Sequence, residues 1–170
     1  MSFEVGEGAA LPLEADSADL VVLHTLLSHV HDPGPVLSEA ARILKPGGYL
    51  VVFDGDFSKG SLASFPGDPL QTCASFFASN FVTDAHISVQ LGALAVGAGF
   101  EALDFWVVPR VVRDNDGMLA WVRYSTDMML AKGQIGEPLA EGLKAEYVRR
   151  RDAGTLYGFQ AYATMIARLP

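Results

Sequence analysis

His24, His29, His31 and Asp32 crowd one short stretch, and these residue types can do proton or metal chemistry. An imidazole titrates near neutral pH and serves well as a general base. His24 and His29 are the two residues to consider for that role. Packing or loop hydrogen bonding is the other use for either of them. A metal centre also draws on clustered histidines, but no cysteine accompanies these, and no metal ligand is assigned. Asp54 and Asp56 stand two apart behind an apolar run. Paired carboxylates can share a proton and do acid–base work, whereas solvated loop carboxylates are the plain alternative. No Ser-His-Asp arrangement with a nucleophile elbow is present.

The elements that must position these groups are legible nearby. Asp19 opens the continuous apolar run of residues 20–23, bounded by turn signals as in a buried parallel strand. Asp32-Pro33 marks a helix start, with Asp32 as cap and Pro33 in the first turn. Val36, Leu37, Ala40, Ala41 and Leu44 give that helix one apolar side. Lys45 is expected in its last turn, and Pro46-Gly47-Gly48 ends it. Residues 49–53 form the next buried strand, so strand, helix and strand make a right-handed parallel crossover.

The remaining expectations are a short strand over 3–5 and a loop over 57–67. Helices follow over 69–81 and 85–98, the second capped by Thr83-Asp84. A strand over 100–108, a connection over 109–117, helices over 118–131 and 138–151, and a strand over 157–167 complete the chain. Phe76, Phe77 and Phe81 make an aromatic face whose use is either core packing or a lid. No repeat, low-complexity tract or dividing linker appears, so one domain over 1–170 is expected.

Composition narrows the classes further. The 170 residues are 50% hydrophobic and 19% charged, too apolar for disorder. No apolar run is long enough to span a membrane, and no signal peptide opens the chain. The formal charge of −8 argues against nucleic acid and anionic membranes as partners. The basic run Arg149-Arg150-Arg151 reads as a solvated helix face. Cys73 is the lone cysteine, which points to a reducing, cytoplasmic setting.

Several passages together carry a family resemblance. They are Gly6-Glu7-Gly8-Ala9-Ala10-Leu11-Pro12, Asp19-Leu20-Val21-Val22, His29-Val30-His31-Asp32-Pro33, Leu44-Lys45-Pro46-Gly47-Gly48 and Gly99-Phe100-Glu101. In these the chain resembles the class I S-adenosylmethionine-dependent methyltransferases, in the small-molecule group of ubiquinone and menaquinone type. The resemblance implies an α/β fold: a mostly parallel Rossmann-like sheet with an antiparallel final strand. It also implies S-adenosylmethionine as cofactor, with Glu7 facing the adenine amino group and the Gly8 backbone facing the ring. Leu23, His24 and Thr25 would face the cofactor's methionine part and the substrate. Asp54, Asp56, Phe77 and Phe81 would rim the site of a small-molecule acceptor.

The family's Gly-x-Gly loop and its acidic ribose-binding residue have no counterpart in these residues. The expectation is therefore an N-terminally truncated methyltransferase fold. In the family the fourth strand pairs with the first, so here residues 20–23 would form an open apolar edge. Such edges recruit strands, so a homodimer through this edge, or a rearrangement that slides residues 3–5 in beside it, is expected. Two functions follow: methyl transfer to a small molecule, or a non-catalytic, dimeric or partner-binding remnant.

Overall fold

The computed structural model describes Phe3 and residues 5–170. Its elements are β1 (Ala18–His24), α1 (Pro33–Ile43), β2 (Leu44–Ser61), α2 (Leu70–Asn80), α3 (Ile87–Gly97), β3 (Glu101–Val112), α4 (Leu119–Ala131), α5 (Glu137–Asp152) and β4 (Gly158–Arg168). A 3-10 turn, Leu27–His29, follows β1. The strands make one sheet in the order β1-β2-β4-β3. The sheet is mixed, with β1 parallel to β2 and the rest antiparallel. The α/β class and the antiparallel final strand expected from the sequence are both present.

The chain clusters into two compact units. The first holds the residues up to Gly55, His86–Val108 and Tyr162–Pro170; the second holds Asp56–Ala85 and Pro109–Ala161.

In the first unit α1 and α3 share one core with the sheet. Val36, Leu37 and Ala40 of α1 and Ile87, Leu91 and Ala95 of α3 pack with Leu23, Leu50, Val52, Ala163 and Met165. The α1 cap is the expected one: Asp32 accepts a hydrogen bond from the Gly34 amide at 2.9 Å. The parallel crossover is also present, with Leu20 to His24 registered on Tyr49 to Phe53.

The opposite face of the β1–β2 pair is bare. Leu20 and Val22 are each 55% exposed and Tyr49 is 45% exposed. His24, Phe53 and Tyr162 continue this face as a ladder of stacked rings, with centroids 4.8 and 5.2 Å apart.

The helix end and the strand start differ from expectation. α1 stops at Ile43, and Arg42, not Lys45, is the basic residue of its last turn. Ala18 pairs with Leu44 but Leu20 pairs with Tyr49, so residues 45–48 loop out of the ladder. Lys45 there pairs with Asp19 at 2.8 Å. Both glycines are needed in this excursion. Gly47 has φ +82°, and a Cβ on Gly48 would lie 2.9 Å from the Lys45 carbonyl oxygen.

Other boundaries also moved. Phe3 and Val5 lie outside any strand, and Glu4 lies outside the described residues. The nearby backbone pairs instead within its own turn, as an isolated bridge between Glu7 and Ala10. β2 runs on to Ser61 through the expected loop. β3 runs through Pro109 to Val112, where a connection was expected. Its place at the sheet edge explains this, because an edge strand tolerates a residue with no amide to donate. α3 starts at Ile87 with His86 as its cap residue and no side-chain cap bond. A bond from the Val89 amide to the His86 carbonyl closes its first turn at 3.1 Å.

The second unit packs α2, α4 and α5 around Phe57, Leu70, Phe77, Trp121, Leu143 and Tyr147. Arg150 lies within this unit as part of a buried ion pair. It grips Asp68 with two bonds, at 2.5 and 3.1 Å, and Glu146 at 2.6 Å. Burial alone would raise the Asp68 carboxyl, but Arg150 and the Ser64 and Leu70 amides outweigh it and hold it below the usual range. Burial also pushes the Cys73 thiol up to about 11, which leaves it inert.

Candidate functional site

The loop that follows Val5 turns back on itself. The Ala10 amide donates to the Glu7 carbonyl at 2.9 Å. This turn presents Glu7, Gly8 and Ala9 to the start of α1. Between them lies a groove of about 230 Å³, lined by those three residues with Leu26, Val30, His31, Asp32, Pro35 and Val36. Its walls are apolar apart from Glu7, His31 and Asp32. The volume falls below the ~300–1,000 Å³ usual for drug-sized ligands.

Gly8 forms part of the wall with no side chain of its own. A Cβ placed on it would project among the side chains, 3.6 Å from Val36 Cγ2 and 3.7 Å from Leu26 Cδ2. These are ordinary contact distances, so a side chain there would occupy the groove without disturbing the backbone.

A second feature lies at the carboxyl end of β1. Thr25 has φ +47°, a backbone conformation that is a genuine outlier for a β-branched residue. Its amide donates to the Phe53 carbonyl at 2.7 Å, which pins the turn to β2. His24 lies beside it, exposed and stacked on Phe53. His24 Nδ1 and Thr25 Oγ1 share a hydrogen bond at 3.1 Å. Leu23, by contrast, points into the core of the first unit.

Asp54 is fully buried. Its two oxygens accept from the Ser28 amide at 3.0 Å and the Gly55 amide at 2.8 Å. It therefore ties the turn after β1 to β2. His29 closes that 3-10 turn, with its amide donating to the Leu26 carbonyl at 3.0 Å.

The remaining residues singled out from the sequence lie in the second unit. Asp56 accepts from the Ser58 hydroxyl at 2.6 Å. Phe77 is buried and stacks on Trp121, with centroids 4.5 Å apart. Phe81 stacks on Phe77 at 4.3 Å and meets Tyr124 edge-on, while remaining partly exposed. This unit has its own cavity of about 490 Å³ over residues such as Ala63, Phe65, Gln71 and Ser75. Among the described residues, no group of three or more His, Cys, Asp or Glu side chains is placed to hold a metal ion. No helix among them is long and apolar enough to cross a membrane.

Two residues of the groove's support were not foreseen. Glu39 and Arg42 on α1 bond to the backbone of the 11–13 segment. Only their three-residue spacing on one helix could have hinted at a pair; the loop partners are far away in sequence.

Residues 1–52 match the family model described as "Methyltransferase domain". A 37.1 kDa Streptomyces fradiae protein encoded in transposon TN4556 is 32% identical over 111 residues, covering 65% of this chain and 32% of that protein. The chain thus spans about a third of the length of this curated relative. In fold, the chain is similar to a Bacillus halodurans C-125 protein described as a methyltransferase. That likeness has a TM-score of 0.58 at 18% identity, covering 97% of this chain and 70% of the other. It is also similar to the [4+2]-cyclase SpnF, with a TM-score of 0.50 at 24% identity, covering 99% of this chain and 55% of the other. A shared fold does not by itself fix a reaction. Residues 1–52 thus resemble the methyltransferase-domain family in sequence, and the chain shares its fold with the solved structures named above.

Proposed function

We propose that this chain serves S-adenosylmethionine-dependent methyl transfer to a small-molecule acceptor, and that the groove between Gly8 and α1 seats the adenine. The observation that carries this reading is the cradle at Gly8. A flat ring laid on that backbone meets Leu26 and Val36 at van der Waals distance, where a Cβ would otherwise stand. Val30 and Pro35 extend the apolar wall. The Glu7 carboxylate is the acceptor for the exocyclic amino group.

When bound, the cofactor supplies a sulfonium whose methyl group is already activated, so the protein's work is placement. His24 is the chain's candidate base. Its Nδ1 engages Thr25, which leaves Nε2 to take a proton from an acceptor hydroxyl. His29 is the second candidate on the same connection. Asp54 supports the site through the Ser28 amide.

Calorimetric titration of the 170-residue chain with S-adenosylhomocysteine tests this reading. Saturable binding that adenosine competes away is expected. Gly8→Val, whose side chain would take up space in the groove, should lower the affinity by about tenfold, equivalent to about 1.4 kcal/mol. No binding, or equal binding by the Gly8→Val variant, overturns the assignment.

The bare sheet face favours a second reading, a dimeric non-catalytic remnant. β1 is an edge strand, and its face carries Leu20 and Val22 largely exposed. Sedimentation velocity distinguishes the two readings. A dimer that Val22→Lys dissociates and that binds no S-adenosylhomocysteine supports the second; a monomer rules it out.

A further inference from the structure

Helix α1 supplies one wall of the groove through Pro35 and Val36. One turn further on, the same helix carries Glu39 and Arg42. Glu39 is only 8% exposed. Its Oε1 accepts from the Leu11 amide at 2.7 Å and from Arg42 Nη2 at 2.7 Å, and its Oε2 accepts from Arg42 Nε at 2.8 Å. Arg42 Nη2 also donates to the Leu13 carbonyl at 2.8 Å. The last carbonyls of the helix join in: Arg42 accepts from the Asp16 amide at 3.1 Å and Ile43 from the Ser17 amide at 2.9 Å. These carbonyls have no partner within the helix, so the loop satisfies them while it is held.

We propose that Glu39 and Arg42 form a latch that positions the Glu7–Ala10 turn against α1 and so sets the width of the groove. They are positioning residues: neither lines the groove, and they act through the backbone at Leu11 and Leu13. This inference rests on the reading of the groove as an adenine site. The geometry supports it in two ways. Both walls of the groove are referred to one rigid helix, Pro35 and Val36 directly and the Glu7–Ala10 turn through the latch. The paired groups also hold one another in charged form. The Arg42 guanidinium, then the Leu11 amide, keep the Glu39 carboxyl down at about 2, and Glu39 in turn raises Arg42.

The experiment compares wild type with Glu39→Ala, Glu39→Gln and a control, Ala95→Gly, which loosens the same core from α3. Amide hydrogen exchange at Leu11 and affinity for S-adenosylhomocysteine are both read. In Glu39→Ala the Leu11 amide should exchange about ten- to a hundredfold faster, the factor for losing a hydrogen bond to a charged group. Leu50 and Val52 should keep their protection. Affinity should fall with it, and Glu39→Gln, which keeps an acceptor for Leu11, should recover part of both. The control should lose global stability with Leu11 protection unchanged relative to Leu50. Unaltered Leu11 exchange in Glu39→Ala overturns the latch. So does an affinity loss equal to that of a control matched in stability. If wild type binds no S-adenosylhomocysteine, the adenine reading fails by itself, and the exchange measurements still decide the latch.

Discussion

Thr25 is the residue under most evident strain. Left-handed backbone in a β-branched residue costs about 1–3 kcal/mol, and here the bond to the Phe53 carbonyl holds it in place. Such strain persists where a turn must aim a side chain, and the turn in question carries His24. Thr25→Gly relieves the strain but adds backbone entropy of about 0.5–1 kcal/mol. The net expectation is a gain of about 1 kcal/mol in urea denaturation, and a loss of stability would contradict it. Asp54 bears on the same turn. Asp54→Ala leaves the Ser28 and Gly55 amides without their acceptor and should cost about 1–3 kcal/mol for each buried group left unpaired. The sequence marked Asp54 for notice by its type. Its partner, Ser28, lies a strand and a helix away, and nothing local could identify it. Gly8 was singled out through resemblance, and the structure places it in the wall of a groove.

At the scale of elements, β1 and the capped start of α1 were readable because their apolar periodicities and cap residues are local. What depended on sheet order was not. Pro109 looked like a strand end until β3 proved to be an edge strand. The excursion over 45–48 needed the register against β1 to be seen. Ion pairs between distant elements were equally hidden. The basic run at 149–151 read as a solvated face, yet Arg150 is buried against Asp68. Arg150→Met leaves that carboxylate buried and unpaired, and should destabilise by about 3–5 kcal/mol in thermal or denaturant unfolding. An unchanged midpoint would refute the pairing. Acid should have a related effect. Glu39, through Arg42, and Glu146, through Arg149 and Arg150, are both lowered from 4.5 to about 2. Lowered carboxyls stabilise the fold fully above their unfolded value and lose that contribution as pH falls through the folded one. Denaturation midpoints should therefore hold above about pH 4.5 and decline from there toward about pH 2. A midpoint as high at pH 2.5 as at pH 7 would contradict this.

For the whole molecule, the distribution of apolar surface is the dominant fact. In the first unit both helices cover one face of the sheet, and the other face shows Leu20, Val22 and Tyr49 to solvent. Parallel strands are ordinarily covered on both sides. β1 lies at the edge of the described sheet, where the sequence reading expected an open edge. The bare face required knowing that α1 and α3 share a side. The central claim concerns another part of the same unit, where the Gly8 turn meets α1. It is tested most directly by a ¹H–¹⁵N titration of the chain with S-adenosylhomocysteine. The account predicts saturable shifts at the amides of Gly8, Ala9, Leu26 and Val30. Shifts confined to the second unit's cavity around Phe65 and Gln71, or none at all, would contradict it.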